Sequence, residues 1–157
     1  MTFVDGAHFK EVLGHYASGL VVVSALTPEG PAGFTCQSFG SLSLEPPLVT
    51  FAAASEGNSW RLVRRSTRVG ISVLASDQEA LARRFATSGA DKFDGVAWEG
   101  GPEGSPLLGG ALAHIEGSFA SITPHGDHDI AVVEVTFVAA GVGRPLIYFR
   151  SGFVELT

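Results

Sequence analysis

Apolar and polar residues alternate along much of the second half of the chain, and this period of two is typical of β-strands. We expect Ala111–Ile122 and Asp129–Ala140 to form two strands joined by Thr123–His128. Other apolar runs, several of them rich in Val and Ile, are bounded by Gly, Pro and Ser and predict further strands. These are Leu20–Leu26, Leu48–Ala54, Val69–Leu74 and Pro145–Leu156, the last being either a strand pair or one long bent strand.

Helical spacing is present in three shorter segments. The first is Asp5–Tyr16, with Asp5 as the N-cap and one apolar face formed by Phe9, Val12, Leu13 and Tyr16. The second is Trp60–Arg65. The third follows a capping box from Ser76 to Glu79 and ends near Thr87–Gly89.

Residues 90–110 lack periodicity and are predicted to form a long loop, of a kind that is often functional. Consecutive strands with three short helices predict a mainly β fold, an antiparallel barrel with peripheral helices. The length of 157 residues fits a single domain, residues 1–157.

Composition limits the possible functions. Charged residues make up 17% of the chain, below the roughly 25% of ordinary globular domains, so a homodimer that covers further apolar surface is expected. The net charge of −6 argues against nucleic acid. The only basic cluster lacks interleaved aromatic residues and is expected on a solvated helix face; it comprises Arg61, Arg64, Arg65 and Arg68.

Cys36 is the single cysteine, which excludes an internal disulfide and favours a reducing cytoplasm. No Cys/His spacing is typical of a metal site. The N-terminal residues do not have the pattern of a signal peptide, and no apolar run reaches the roughly 18–20 residues of a membrane span. We therefore expect a cytoplasmic protein without bound metal.

The mostly uncharged segment Gly33–Pro47 is rich in Ser and Thr. On its own, this pattern fits an edge strand with a solvated hydroxyl face. It also fits a backbone that lies against the polar edge of a flat ligand.

Ser55 and Ser59 flank a predicted helix start, where free N–H groups favour an anion such as a cofactor phosphate. Ordinary helix capping is the alternative. Cations and aromatic residues follow near the long loop, where they are expected either to border a ligand or to lie on a helix surface and in the core. These are Arg84, Phe85, Lys92 and Phe93.

His125-Gly126-Asp127-His128 lies between two predicted strands. Two histidines in a turn are a poor metal pair, and no G-x-S-x-G sequence supports a Ser/His/Asp hydrolase. The turn therefore favours either a solvated loop or a single imidazole oriented by Asp127 at a pocket mouth. Tyr148 and Arg150 are predicted on one side of a strand, facing a groove or solvent.

These segments, in this order and spacing, resemble the flavin reductase-like family, which has the FMN-binding split-barrel fold and includes the reductase components of two-component flavin monooxygenases. The resemblance extends from about Phe9 to Phe153. The matching segments are Tyr16–Val23, Gly33–Pro47, Asp77–Phe85, Asp91–Gly95, Gly126–His128 and Pro145–Arg150.

The resemblance implies an NAD(P)H-dependent flavin reductase with a split β-barrel, in a homodimer that supplies reduced flavin to a monooxygenase. It implies that FMN or FAD contacts main-chain groups of the Ser/Thr segment. The phosphate of the flavin is implied near Ser55 and Ser59, with Arg84 or Lys92. His128 is implied to bind NADH or NADPH and to be the residue closest to the chemistry. The implied cofactor-binding residues are Thr35, Cys36, Gln37, Ser38, Ser41, Ser43, Ser55, Ser59, Arg84, Phe85, Lys92, Phe93, Tyr148 and Arg150.

The chain departs from the family pattern at two places. Cys36-Gln37 replaces the usual Ala-Asn, and Glu56-Gly57 replaces a lysine or its equivalent. Two other functions therefore stay open: a single-component oxidoreductase that retains FMN, and a non-enzymatic module that binds flavin or haem.

Overall fold

The computed structural model describes residues 3–89 and 91–156. Met1, Thr2, Ala90 and Thr157 lie outside the described residues, and with them the ends of the predicted domain and the first residue of the predicted loop.

Three short helices accompany twelve short strands in the described ranges. The helices are α1 Gly6–Leu13, α2 Asn58–Val63 and α3 Glu79–Ala86. The strands are β1 Ser18–Gly19, β2 Val21–Thr27, β3 Gly30–Cys36, β4 Gly40–Ser43, β5 Leu48–Ala54, β6 Arg68–Val73, β7 Trp98–Gly100, β8 Pro106–Leu108, β9 Ala113–His125, β10 His128–Ala140, β11 Ile147–Phe149 and β12 Gly152–Val154.

Seven strands form one antiparallel sheet in the order β3-β2-β6-β9-β10-β5-β4. This confirms the predicted mainly β fold with peripheral helices. The outer strands are β4 and β3, and β4 and the second half of β3 come from the Ser/Thr-rich segment, so its predicted edge position is confirmed. The predicted solvated hydroxyl face is not found at Thr35 and Ser38, whose hydroxyls donate to main-chain carbonyls. The two outer strands do not pair with each other, and the sheet is not closed.

The sheet nevertheless curls until its two ends meet through side chains. Phe34 on β3 packs edge-to-face on Phe51 of β5, with ring centroids 6.1 Å apart. Ser38, just after β3, hydrogen-bonds to both main-chain groups of Ala52 on β5. Trp60 of α2 covers the inner face and contacts both phenylalanine rings edge-to-face. The buried core lies between α2 and this curled sheet.

Helix α1 begins after Asp5, whose side chain accepts a hydrogen bond from the His8 amide at 3.4 Å, so the predicted N-cap is confirmed. The helix ends at Leu13, before the predicted end at Tyr16. Its apolar residues Phe9, Val12 and Leu13 are each more than half exposed, and none of its side chains is buried.

The predicted capping box of α3 is wrong. Ser76 and Asp77 lie in a turn closed by the bond from the Gln78 amide to the Ala75 carbonyl at 2.9 Å, and the helix begins only at Glu79. The Ser76 amide, which Glu79 would accept from in a capping box, donates instead to the Arg144 carbonyl at 2.8 Å. The residue before the helix is Gln78, which makes no side-chain cap. Its amide group instead accepts from the Ala75 N–H and donates to the Gly109 carbonyl, each at 2.9 Å.

The predicted long loop is also partly wrong, because β7 and β8 form a short hairpin within it. The buried carboxylate of Glu116 holds this hairpin through the amides of Glu103 at 3.1 Å and Ser105 at 2.8 Å. These contacts come from β9, the next strand along the chain, so the sequence of the loop itself gives no sign of them.

Two turns differ from their predictions. His125 pairs directly with His128, so the predicted six-residue link between β9 and β10 reduces to Gly126 and Asp127. A two-residue hairpin turn needs left-handed backbone, which Gly126 supplies with φ of 61°. The predicted strand pair at the C-terminus is β11 and β12, but Arg150 lies in the turn between them, with φ of 51°, rather than on the same strand as Tyr148.

No helix of the described chain is long and apolar enough to cross a membrane.

Candidate active site

A cavity of about 1140 Å³ opens between β3, the start of α2, the β9–β10 turn and the β11–β12 turn. Ligand sites commonly measure roughly 300–1,000 Å³, so this cavity has room for more than one small molecule. Most of the predicted site residues line it: Thr35, Cys36, Gln37, Ser38, Ser59, Phe85, Lys92, His128, Tyr148 and Arg150.

Five predicted site residues do not line the cavity. Ser41 and Ser43 lie on the edge strand β4, and the buried Phe93 packs edge-to-face on Phe85 with ring centroids 4.9 Å apart. Ser55 and Arg84 are each hydrogen-bonded within the chain. Their cofactor-binding roles stay predictions.

One side of the cavity, which we call the neutral wall, comprises Thr35 to Ser38. Its two hydroxyl groups are tied to the chain's own carbonyls. The Thr35 hydroxyl donates to Ala82 at 2.6 Å, and the Ser38 hydroxyl donates to Ala52 at 2.9 Å. Burial raises the pKa of the Cys36 thiol, which keeps it protonated. This wall therefore has no ionised group.

Lys92 lies at the end of the neutral wall. Its ammonium group donates to the carbonyls of Phe85 at 3.0 Å and Gly33 at 3.4 Å, and burial lowers its pKa. Arg84 lies behind it and donates to the carbonyls of Lys92, Asp91 and Asp94. Arg84 thus shapes the segment that carries Lys92.

The opposite side, which we call the carboxylate-backed wall, comprises residues 57–60 at the start of α2 together with His128 at the start of β10. The His128 ring lies 2.7 Å from the Asp127 carboxylate through Nδ1. That hydrogen bond lowers the pKa of Asp127, and about half of the His128 side chain is exposed toward the cavity mouth. Asp127 orients the ring as the sequence predicted.

Asp129, a residue that sequence reasoning missed, supports this wall from behind. Its side chain is only 5% exposed and accepts hydrogen bonds from the Trp60 indole at 2.8 Å, Arg64 at 2.8 Å and Ser55 at 3.1 Å. The Trp60 bond is the main reason that the pKa of Asp129 is lowered. Arg64 was predicted on a solvated face; its side chain is 42% exposed, and its ion pair with Asp129 is what the sequence did not show.

The charges around the cavity differ in sign from those of the whole chain. Lys10, Lys92 and Arg150 line it together with His128, and no Asp or Glu of the described residues does. The chain as a whole has 16 acidic and 10 basic residues. The cavity is therefore suited to anionic ligands. Lys10 carried no signal in the sequence, because only the fold brings α1 to the cavity.

Within residues 3–89 and 91–156, no group of three or more His, Cys, Asp or Glu side chains could hold a metal ion.

Known proteins resemble this chain over almost its full length. It is 38% identical over 154 residues to the reductase subunit HsaB of a flavin-dependent monooxygenase from Rhodococcus jostii, covering 98% of this chain and 79% of that protein. It is 40% identical over 155 residues to the FMN reductase (NADH) SmoA of Agrobacterium fabrum, covering 96% and 88%.

A solved structure supports the same relationship. The NADH:FAD oxidoreductase SgcE6 of Streptomyces globisporus, in complex with NAD and FAD fragments, superimposes with a TM-score of 0.92 at 31% identity, covering 100% of this chain and 98% of that one. The model of the flavin reductase like domain matches residues 13–157. The curled antiparallel sheet, the cavity at its edge and these similarities together establish that the chain belongs to the flavin reductase-like family.

Proposed function

We propose that this protein is an NAD(P)H-dependent flavin reductase that supplies reduced flavin to a separate monooxygenase. The observation that carries the proposal is the cavity, which is lined by three basic side chains and a histidine in an acidic chain. Flavin and nicotinamide nucleotides each combine a flat ring with anionic phosphate groups, and the large cavity has room for the two to lie together.

The neutral wall suits the edge of a flavin ring. Because the hydroxyls of Thr35 and Ser38 are engaged by Ala82 and Ala52, the groups left for a ligand are main-chain N–H and C=O groups and the exposed Gln37. Main-chain donors held in place by a sheet edge stabilise charge that develops on a bound ring, as an oxyanion hole does. We assign the ring of FMN or FAD to Thr35, Cys36, Gln37 and Ser38.

The cofactor phosphate is assigned to Ser59 and Lys92, which both line the cavity. Lys92 retains a hydrogen to donate after its two carbonyl bonds, since an ammonium group has three donors. Ser55 and Arg84 contribute indirectly in this proposal: Ser55 bonds to Asp129 behind the wall, and Arg84 holds the segment of Lys92.

The nicotinamide nucleotide is assigned to the mouth of the cavity. His128 is held there by Asp127, and Arg150 and Tyr148 lie on the β11–β12 side. The amide of Arg150 donates to the Gly14 carbonyl at 2.8 Å, which fixes its turn against the end of α1. Lys10 adds a further cation for phosphate groups.

A bound flavin supplies the redox chemistry, since it takes up the hydride that a reduced nicotinamide nucleotide donates. The side chains need to hold the two molecules in contact and to keep water from them. No protein nucleophile or general base is required, which agrees with a neutral wall whose only thiol stays protonated.

The expected assembly is a homodimer in a reducing cytoplasm. The support is the apolar surface that one copy leaves exposed on Phe9, Leu13 and Tyr16, together with Leu44, and the single free cysteine. The role as a monooxygenase component is supported by the name of the Rhodococcus relative.

The test is to mix the purified protein with FMN or FAD in excess and to add NADH or NADPH without oxygen. We expect many equivalents of flavin to be reduced per protein molecule, which would separate a reductase from a binding module. Reduction of one tightly retained equivalent would favour a single-component oxidoreductase. If neither NADH nor NADPH reduces FMN or FAD, the proposal is refuted.

A further inference from the structure

His128 and Asp129 are consecutive residues of β10 with opposite tasks. Side chains alternate along a strand, so when one faces the cavity the next faces the other side. His128 lines the cavity, whereas Asp129 lies beneath it against α2. These two adjacent residues therefore link the mouth of the cavity, at His128, to the hydrogen bonds of Asp129 that hold α2.

All three donors to Asp129 come from a single segment of ten residues, Ser55 to Arg64. Oδ1 accepts from Ser55, and Oδ2 accepts from both Trp60 and Arg64. Arg64 also lies over the indole of Trp60, with its guanidinium carbon 5.7 Å from the ring centroid. Charge-assisted hydrogen bonds of this kind are directional, and together they fix where the segment sits.

The main chain alone does not fix that position. In the described chain, the main-chain bond from this segment to the β9–β10 hairpin lies at its beginning, where the Ser55 amide donates to the carbonyl of Asp127 in the turn before β10, at 3.0 Å. Beyond that point α2 is held to β10 through side chains, and among polar contacts of the described residues these are the bonds of Trp60 and Arg64 to Asp129.

We propose that Asp129 is a positioning residue, whose carboxylate sets the separation between His128 and the Gly57–Trp60 side of the cavity and thereby the fit of the phosphate-bearing cofactor. This inference rests on the proposed function, because it takes the phosphate to lie at Ser59. Asp129 is not among the residues that line the cavity. It acts through Trp60 and Ser55, the neighbours of Ser59 in the same segment.

The experiment measures the dissociation constants of FMN and riboflavin, which differ only in the phosphate, for the native protein and for Asp129→Asn. Asparagine keeps the shape but removes the charge and one acceptor oxygen. We expect FMN affinity to fall about ten-fold, the loss of one good charge-assisted contact, with riboflavin affinity changing less than about two-fold. The matched control is Glu134→Gln, on the same strand, exposed and outside the cavity lining, which should leave both constants unchanged.

A purely structural role would lower the affinity for both flavins together or for neither, and either result would overturn the inference. If the native protein already binds riboflavin as tightly as FMN, the phosphate placement fails, and this role of Asp129 fails with it. If the native protein prefers FMN and Asp129→Asn keeps that preference, the role of Asp129 is refuted while the proposed function stands.

Should Asp129→Asn fail to fold, Arg64→Gln provides the second test. Arg64 is outside the cavity lining and its side chain is 42% exposed, so the variant keeps the core intact. We expect the same selective loss of FMN affinity, about three-fold, because two of the three donors remain. If the dissociation constants of FMN and riboflavin change by the same factor in Arg64→Gln, or do not change, the proposal is contradicted.

Discussion

The two walls of the cavity are built in different ways. The neutral wall consists of an edge strand whose hydroxyls bind carbonyls of the chain itself, and its thiol remains protonated. The carboxylate-backed wall carries no carboxylate at the surface, but it rests on the buried Asp129 with three donors around it. The first wall is positioned by the sheet, and the second by an ionised side chain.

This difference predicts how each wall responds to change. A wall that offers main-chain groups tolerates conservative side-chain substitution and is insensitive to pH near neutrality. A wall that depends on a buried carboxylate is sensitive to the loss of any of its partners, because a buried charge without donors is costly.

The largest effect is expected for Trp60→Ala. Trp60 is 1% exposed and contacts Phe34, Phe51 and Phe119. Truncation of a buried aromatic residue costs about 3–5 kcal/mol in the free energy of unfolding, and urea denaturation would measure it. Trp98→Ala, at a half-buried position on β7, is the control and should cost less. If Trp60→Ala and Trp98→Ala lower the free energy of unfolding equally, the packing of α2 on the sheet contributes no more than that of the β7–β8 hairpin.

The next effect is a loss of stability in acid. The folded-state pKa of Asp129 is lowered by its donors, so its stabilisation is complete above the unfolded value of about 3.9 and disappears as the pH falls below it. Urea midpoints of the native protein and Asp129→Asn should therefore differ most above about pH 5, and the difference should shrink only as the pH falls below about 3.9 toward the lowered folded-state pKa. A difference that stays constant across this range would contradict the assigned ionisation.

A smaller effect is expected for His128→Ala, which removes the imidazole from the cavity mouth. Loss of a hydrogen bond to a charged ligand is worth about 1.5–3 kcal/mol, so the KM for the preferred nicotinamide nucleotide should rise at least about ten-fold. Because His128 is half exposed, the free energy of unfolding should change by less than about 0.5 kcal/mol.

His125→Ala is the matched control, since His125 pairs with His128 across the same turn but is outside the cavity lining. Its KM should equal that of the native protein. If both variants behave alike, the turn as a whole rather than His128 is responsible.

The smallest effect on ligand binding is expected on the neutral wall. Thr35→Val removes the hydroxyl that donates to Ala82, and the loss of one neutral hydrogen bond costs about 0.5–1.5 kcal/mol of stability. Flavin affinity should change less than about two-fold, because main-chain groups make the contact. Thr35→Ser keeps the hydroxyl and serves as control. A large loss of affinity in Thr35→Val alone would show that the side chain, not the main chain, binds flavin.

Features that depend on neighbouring residues could be predicted from the sequence. Alternation located β9 and β10, and the aspartate before the first helix located its N-cap, because both signals arise within a few residues of the chain. The predicted capping box at Ser76 is wrong because a contact from far along the chain overrides this local signal. The Ser76 amide is taken by Arg144, far along the chain, and local propensity cannot anticipate such pairing.

The site divides along the same line. The Ser/Thr-rich segment, His128 and Lys92 were identified from residue types and their order. Lys10 and Asp129 were not, since one reaches the cavity only through the placement of α1, and the other meets Trp60 across 69 residues. The sequence by itself determined the main strands and, through its resemblance to the flavin reductase-like family, the candidate residues of the site. Only the curling of the sheet decided which of them share one cavity, because that depends on contacts between strands far apart in the chain.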